Sequence, residues 1–299
     1  MKIFMTGGTG FIGSHLTRML ADRDDTVVIA SRNPEKKSPV SDNVQYVSLK
    51  GNLAEYMEGC DLVVNLAGES IYGKRWTKQV KKRIRESRIQ TTLKLVDTMR
   101  ILDKKPDTFI SASAVHYYGD CGAEKVTEER GPGSGFLSEV CQDWEAVSRE
   151  AESLGIRVVN PRTGVALGTE GGALATMLPV FRGFIGGSIG SGSQFFPWIH
   201  VEDLCRSMIF AAGNRELAGP FNATAPNPVT MDEFAETLGD ILSRPSFFRA
   251  PEFGLKLALG EAATMVTDSL RIIPSKLAEN GFVFNYQELG EALKHLLQE

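Results

Sequence analysis

The sequence predicts an α/β fold, a doubly wound parallel sheet that carries a smaller, mostly helical C-terminal lobe. Three observations predict it. Six short apolar runs recur through the first half of the chain: KIFMT (2–6), VVIAS (27–31), VQYVSL (44–49), LVVNLA (62–67), TFISAS (108–113) and IRVVNP (156–161). Helical patterns lie between most of them, and short buried strands separated by helices build a parallel sheet covered on both faces. After about residue 165 the pattern changes: glycines crowd 183–192, and helical stretches follow near 202–213, 231–243, 253–266 and 287–298. Prolines at 226, 228, 245, 251 and 274 punctuate that second part. The expected organisation is a nucleotide-binding domain over 1–165, with 195–215 returning to it, and an interleaved lobe over 166–299.

The first run enters a glycine turn and leaves it as an amphipathic helix, in MKIFMTGGTGFIGSHLTRML. Gly8, Gly10 and Gly13 fit G-x-G-x-x-G, and Gly7 gives the alternative G-x-x-G-x-x-G. Glycine serves the tight turn, the approach of a pyrophosphate to the backbone, and close packing of helix on strand. The anion then meets the free N–H groups of the helix start. In this strand–turn–helix context the motif reads as the Rossmann dinucleotide loop. Thr6, Gly7, Gly8, Gly10, Phe11, Ile12 and Gly13 form the expected cradle, with Leu66, Ala67 and Gly68 of the fourth run beside it.

The second run ends VVIASRNPEKK, where an NAD-preferring site usually carries an acidic residue for the ribose 2′-hydroxyl. Ser31 and Arg32 stand there instead, and a guanidinium suits a 2′-phosphate. Lys36 or Lys37 can assist. The expected cofactor is NADP(H).

Composition bounds the rest. The chain has 299 residues, 42% hydrophobic and 23% charged, enough for one large domain or two closely joined ones. A net charge of −4 without a basic tail argues against nucleic acid, and no apolar run approaches a membrane span. The four cysteines, Cys60, Cys121, Cys141 and Cys205, are scattered, which argues against a disulfide framework or a zinc site. Residues 1–5 run directly into a strand pattern, so no signal peptide is expected, and the expected compartment is the reducing cytoplasm. The basic run KRWTKQVKKRIRESR (74–88) reads as the solvated face of an amphipathic helix. Val80, Ile84, Thr91, Leu95 and Met99 make the apolar face.

Five motifs, TGGTGFIG (6–13), NLAG (65–68), SASAVHYYG (111–119), PRTGVALG (161–168) and PWIHVEDL (197–204), resemble the extended short-chain dehydrogenases/reductases, the family of sugar-nucleotide epimerases and dehydratases. GESIYGKRWT (68–77), SRIQTT (87–92), GFLSEVCQDWE (135–145), GPFNATAPNPVTMDEFA (219–235) and the stretch 259–286 resemble the narrower YfcH-type epimerase family proteins. Those carry a C-terminal domain of unknown function, here over about 247–297. The resemblance implies hydride exchange between a nicotinamide and a substrate carbonyl or carbinol. A tyrosine, its pKa lowered by a lysine four residues on, handles the proton, and a serine on the preceding strand polarises the oxygen.

Ser113 fits that serine, and Glu145 fits a glutamate of the same helix. The tyrosine position falls at Leu137 or Phe136, and the lysine position at Cys141 or Val140. None of these can do the work, so a proton must come from elsewhere. Tyr117 and Tyr118 follow Ser113 closely. The loop after the fourth run supplies Glu69, Ser70, Lys74, Arg75 and Trp76, which can bind an anionic substrate or move a proton. Arg162, after the sixth run, can reach the same cleft. His116 and His200 read as structural, and GGSIGSGSQFFPW (186–198) resembles the segment that closes over a sugar nucleotide. The resemblance also makes a homodimer an expectation, through the helices after the fourth and fifth strands.

The expected function is NADP(H)-dependent hydride transfer on a small polar carbonyl or carbinol substrate. The alternative is a non-catalytic NADP(H)-binding redox sensor or regulatory module, which the missing pair favours. A sugar-nucleotide epimerase in the full sense is weaker, because that reaction leans on the absent tyrosine.

Overall fold

A computed structural model describes residues 1–73 and 75–298. The six apolar runs form β1 (Lys2–Thr6), β2 (Thr26–Ser31), β3 (Val44–Ser48), β4 (Leu62–Asn65), β5 (Thr108–Ser111) and β6 (Arg157–Thr163). A further strand, β7 (Gly219–Ala223), joins the edge, giving the order β7-β6-β5-β4-β1-β2-β3. Every neighbouring pair on this path is parallel. After Ser111 the chain bends, and Ser113–Ala114 pairs with β6 at Arg162 and Thr163. β7 escaped the sequence reading because GPFNA begins with glycine and proline, and proline is confined to edge or first positions of a strand.

The alternation of side chains splits the core in two. Ile3, Met5, Val27, Ile29, Leu62, Val64, Ile110 and Val159 pack on Leu16 and Leu20 of α1 (Phe11–Ala21) and on Leu204 and Met208. Phe4, Val28, Val63, Phe109 and Val158 face the other way, onto Leu53 and Met57 of α2 (Leu53–Met57) and Leu95, Val96 and Met99 of α3 (Lys78–Arg100). Each fully buried side chain of this size contributes about 1.5–3 kcal/mol, so the two faces together hold the sheet. The Thr77 hydroxyl caps α3 by accepting from Val80 N–H at 3.3 Å.

The remaining long helices are α4 (Phe136–Arg149), α5 (Gly172–Arg182), α6 (Val201–Gly213), α7 (Met231–Leu242), α8 (Glu252–Leu259) and α9 (Leu289–Gln298). α6 carries Leu204 and Met208 onto the sheet. Leu174 and Leu178 of α5, Phe234 and Leu238 of α7, and Leu289 and Leu293 of α9 enclose Trp198 in a separate core. Thr230 and Glu233 form a capping box at the start of α7. The single helix expected over 253–266 is broken. Gly260, at φ +62, ends α8, and short turns at Gly260–Ala263 and Thr264–Thr267 follow. Among the described residues no helix is long and apolar enough to cross a membrane.

β1 connects onward to β2 on one side and neighbours β4 on the other. The strand order therefore reverses at β1/β4, and a crevice opens beyond their carboxyl ends.

Candidate cofactor and active site

Two hollows lie along that crevice and share Gly7, Gly10, Leu66, Gly68 and Glu69, so they form one groove. The first, about 410 Å³, is lined by the glycine loop, the loop after β4, the end of β5 and one face of α4. The second, about 360 Å³, runs from the glycine loop over the ends of β2 and β3.

The glycine loop is shaped by close approach. Gly7 has φ +78, and a Cβ there would sit 2.5 Å from the Leu66 carbonyl. A Cβ on Gly13 would sit 2.2 Å from Gly7 O. The backbone of β1's turn thus touches both the β4 loop and α1. α1 begins at Gly10 with no side-chain cap, which leaves its first N–H groups for an anion. This cradle fits a pyrophosphate. Ser31, Arg32, Asn33 and Lys37 line the far end of the second hollow, and no carboxylate stands among them. That donor set fits a 2′-phosphate. Thr6 and Ala67 line the same hollow, and Phe11, Ile12 and Gly13 line the first. Gly8 lines neither. It sits beneath the loop, where a Cβ would meet Ile29 at 2.9 Å.

A buried polar lattice stiffens the floor. Thr6 Oγ1 donates to Asn65 Oδ1 at 2.7 Å, and Asn65 Nδ2 donates to Thr92 Oγ1 at 2.9 Å. Trp144 Nε1 donates to the same hydroxyl at 3.0 Å, which joins α3 and α4 under the groove.

At the first hollow, Ser113 Oγ donates to Glu145 Oε1 at 2.6 Å. Arg162 Nε and Nη2 hold the two Glu145 oxygens, each at 2.8 Å, and Arg162 Nη1 donates to Tyr118 Oη at 2.9 Å. Tyr118 Oη passes its hydrogen to Asn222 Oδ1 at 2.7 Å. Ser113 is thus the end of a buried chain that runs back through β6 to β7. Burial alone would lower the Arg162 pKa, but its hydrogen bonds with Glu145 and that charge raise it instead. Burial pushes the Tyr118 hydroxyl up to about 12.

The sequence-predicted residues therefore divide. Ser113, Glu69 and Ser70 line the first hollow. Tyr118 and Arg162 line neither, because their polar atoms are committed to the buried chain. Tyr117 lies flat against Arg162, whose Cζ is 3.5 Å from its ring centre, and also lines neither. Trp76 is buried with Ile84, Phe136 and Ala262, its Nε1 donating to Ile71 O at 3.1 Å. Arg75 reaches away, to Leu257 O at 3.5 Å. Those two residues tie the loop to the 257–262 segment and do not enter the groove. Lys74 lies outside the described residues.

Leu137, Val140 and Cys141 do face the first hollow, where the resemblance places the tyrosine and lysine. Burial and the Glu145 charge push the Cys141 thiol up to about 12, so it stays neutral. His116 lines the same hollow. Burial brings its pKa down to about 4, and its Nε2 is buried without a hydrogen-bond partner.

Of the titratable lining residues, two escaped the sequence reading. Tyr72 lies within GESIYGKRW, and burial around its hydroxyl raises its pKa. Arg88 lies at the end of the basic run that was expected to face solvent. It stands one turn after Ile84 and one before Thr92, both buried, so the helical period turns it inward. That spacing was the available signal.

Comparisons with known proteins identify the family. The family model described as NAD dependent epimerase/dehydratase family matches residues 3–223, and the Domain of unknown function (DUF1731) matches residues 250–296. The chain is 40% identical over 301 residues to the epimerase family protein YfhF of Bacillus subtilis, covering all of this chain and 99% of that one. It is 38% identical over 304 residues to an Arabidopsis thaliana protein named epimerase family protein SDR39U1 homolog, chloroplastic, covering all of this chain and 87% of that one. Among solved structures, human epimerase family protein SDR39U1 (isoform 2), determined with NADPH, superposes with a TM-score of 0.91 at 34% identity, covering the whole of both chains. This chain belongs to the NAD dependent epimerase/dehydratase family.

Proposed function

We propose that the groove binds NADP(H) and that the protein is an oxidoreductase acting on a carbonyl or carbinol carbon of a small polar substrate. The observation that carries the cofactor is the far end of the second hollow, where Arg32, Lys37 and Ser31 converge without a carboxylate. The NADPH held by the human relative supports it. When bound, the cofactor supplies or accepts the hydride.

The chain's own residues then have to orient the substrate oxygen and handle one proton. The hydroxyl hydrogen of Ser113 is directed to Glu145, so Ser113 offers the hollow an acceptor. In this reading it receives the O–H of the carbinol and orients it. The proton comes from the loop after β4. Tyr72 brings the phenol hydroxyl of that loop to the wall of the hollow; its ring is partly exposed, and its pKa, raised from an already high value, keeps it protonated. It donates to the carbonyl oxygen as hydride arrives and is reprotonated from solvent. His116 and Cys141, both neutral, do not compete for the charge. The four cysteines are free and buried, which supports a reducing compartment such as the cytoplasm. α3 and α4, packed side by side, supply the surface for a homodimer in this reading.

The second reading, a cofactor-binding module without turnover, is favoured by one observation. Leucine and a neutral thiol occupy the wall where the family's acid–base pair belongs.

A titration of the purified protein with NADPH and NADH, followed by nicotinamide fluorescence and thermal shift, tests the cofactor. NADPH is expected to bind at least about tenfold more tightly, the scale of one charge-assisted contact. Equal affinities remove the Arg32 argument, and no binding of either removes both readings. NADPH consumption with a panel of small carbonyl compounds then separates them. Tyr72→Phe is expected to lower turnover by about a hundredfold or more, with NADPH affinity unchanged. An unchanged rate removes Tyr72 from the reaction.

A further inference from the structure

We propose that the first hollow takes an anionic substrate, a small carbonyl compound bearing a carboxylate or a phosphate, and that Arg88 receives that charge. The inference rests on the reading that the groove binds NADPH.

Two arginines stand near the groove, Arg162 buried and Arg88 part-buried, and they differ in what holds them. Arg162 has Glu145 on both of its forked nitrogens. Arg88 has only backbone carbonyls, with Nη1 donating to Ile84 O at 3.0 Å and to Glu69 O at 3.1 Å. Carbonyl dipoles orient a guanidinium without neutralising it. Among the described residues no carboxylate forms an ion pair with Arg88, and its Nε and Nη2 make no hydrogen bond. The two side chains respond in opposite directions. The Arg162 pKa is raised, whereas burial lowers that of Arg88, and the nearby Glu69 charge does not reverse it. An unneutralised charge taken out of water is costly to the fold, and removing one partner of a buried pair is among the more destabilising changes known. A protein that keeps such a charge on the wall of a cleft is complete when a ligand brings the counter-charge.

The surroundings hold the guanidinium in place for that. Its Cζ lies 5.2 Å from the Trp144 ring centre, so the plane rests on an aromatic floor. Gly68 leaves it room. A Cβ at that position would come within 3.1–3.3 Å of its three terminal atoms. The hollow is about 410 Å³ and also contains Ser113, Tyr72 and Leu137, so the anion and the reacting oxygen belong to one small molecule. Arginine's fork matches either a carboxylate or a phosphate in a two-point contact.

The experiment uses the full chain saturated with NADPH, which occupies the glycine loop and removes it as a competing anion site. Oxalate and inorganic phosphate are added separately, and the melting temperature is read for the wild type, Arg88→Gln and Arg88→Lys. One of the two anions is expected to raise the wild-type value by about 2 °C or more. Stabilisation by oxalate assigns a carboxylate substrate, and by phosphate a phosphorylated one. Arg88→Gln is expected to abolish the shift while NADPH affinity stays within about threefold of wild type, a difference below one charge-assisted contact. Should Arg88→Gln not fold, Arg88→Lys carries the test. It keeps the charge without the fork, and its anion affinity must fall at least about threefold. The inference is overturned if neither anion shifts the wild type, if the shift survives Arg88→Gln, or if Arg88→Gln chiefly weakens NADPH, which would make Arg88 a cofactor contact. Failure of the wild type to bind NADPH is a different result and removes the cofactor reading. The anions are then read on the free protein, where the same loss in Arg88→Gln is required.

Discussion

Ser113 gives its only hydroxyl hydrogen to Glu145 Oε1 at 2.6 Å, and both residues are buried. The serine on the wall of the first hollow is therefore fixed from behind by a carboxylate, which Arg162 holds at both oxygens. The position of the Ser113 hydroxyl is set by an ion pair that does not itself line the groove.

That arrangement predicts a large and specific cost. Glu145→Ala leaves the Arg162 guanidinium buried with no counter-charge and frees Ser113. Urea unfolding is expected to show a loss of about 3–5 kcal/mol. The double variant Glu145→Ala with Arg162→Met removes the stranded charge and is expected to recover part of that loss. A single variant that loses less than about 1 kcal/mol, the size of a surface pair, would mean that the pair is not desolvated as described.

Cofactor choice is predicted to rest on Arg32. It is exposed at the end of β2 and lines the second hollow with Lys37. Arg32→Glu replaces a 2′-phosphate partner with a repelling carboxylate. NADPH affinity is expected to fall about tenfold to a hundredfold, and NADH affinity to hold or rise, in a fluorescence titration. Parallel losses for both cofactors would show that Arg32 supports the loop rather than reading the phosphate.

The sheet and the glycine loop were legible in the sequence because they are local. A strand declares itself by five apolar residues, and the cradle by glycines three apart at a strand end. The face of α4 was legible too. Counting from the resemblance left Leu137 or Phe136 and Cys141 or Val140; Leu137, Val140 and Cys141 line the hollow, and Phe136 does not. The Ser113–Glu145–Arg162–Tyr118–Asn222 chain was not. Its members come from five segments, and only tertiary packing brings them together, so Tyr118 and Arg162 looked like groove residues by their nearness to Ser113 and the strand ends. Arg88 was hidden for another reason. It closes a run of exposed lysines and arginines, and the charge of the run outweighed the one-turn spacing from Ile84 that turns Arg88 inward.

The last prediction concerns acid. His200 Nδ1 accepts from Glu202 N–H at 3.1 Å and thereby caps α6, so in the neutral ring the hydrogen is on Nε2 and points to His295 Nδ1 at 3.2 Å. The ring also stacks on Tyr286, with centres 3.8 Å apart. Burial, with His295 and His15 adding to it, brings the His200 pKa down from 6.5 to about 3, and burial brings His116 down to about 4. Both folded values lie below the unfolded one. Between about pH 6.5 and 4 the unfolded chain binds these two protons and the folded chain does not, so their stability contribution is full above 6.5 and is lost as pH falls. Asp268 runs the other way. Burial and Asp120 raise its pKa from 3.8 to about 6, so the folded chain binds that proton first and offsets one of the two. Burial lowers the His15 pKa as well, so the net is about one proton or more taken up on unfolding, a slope of about 1.4 kcal/mol per pH unit or steeper. Urea unfolding at several values between pH 6.5 and 4.5 measures it. His200→Asn keeps a side-chain acceptor for Glu202 N–H and removes the titrating ring. Its stability is expected to fall at neutral pH, through the lost stacking and the lost bond to His295, while its slope drops by about 1.4 kcal/mol per unit. A slope equal to that of the wild type would show that His200 takes up its proton without unfolding the chain.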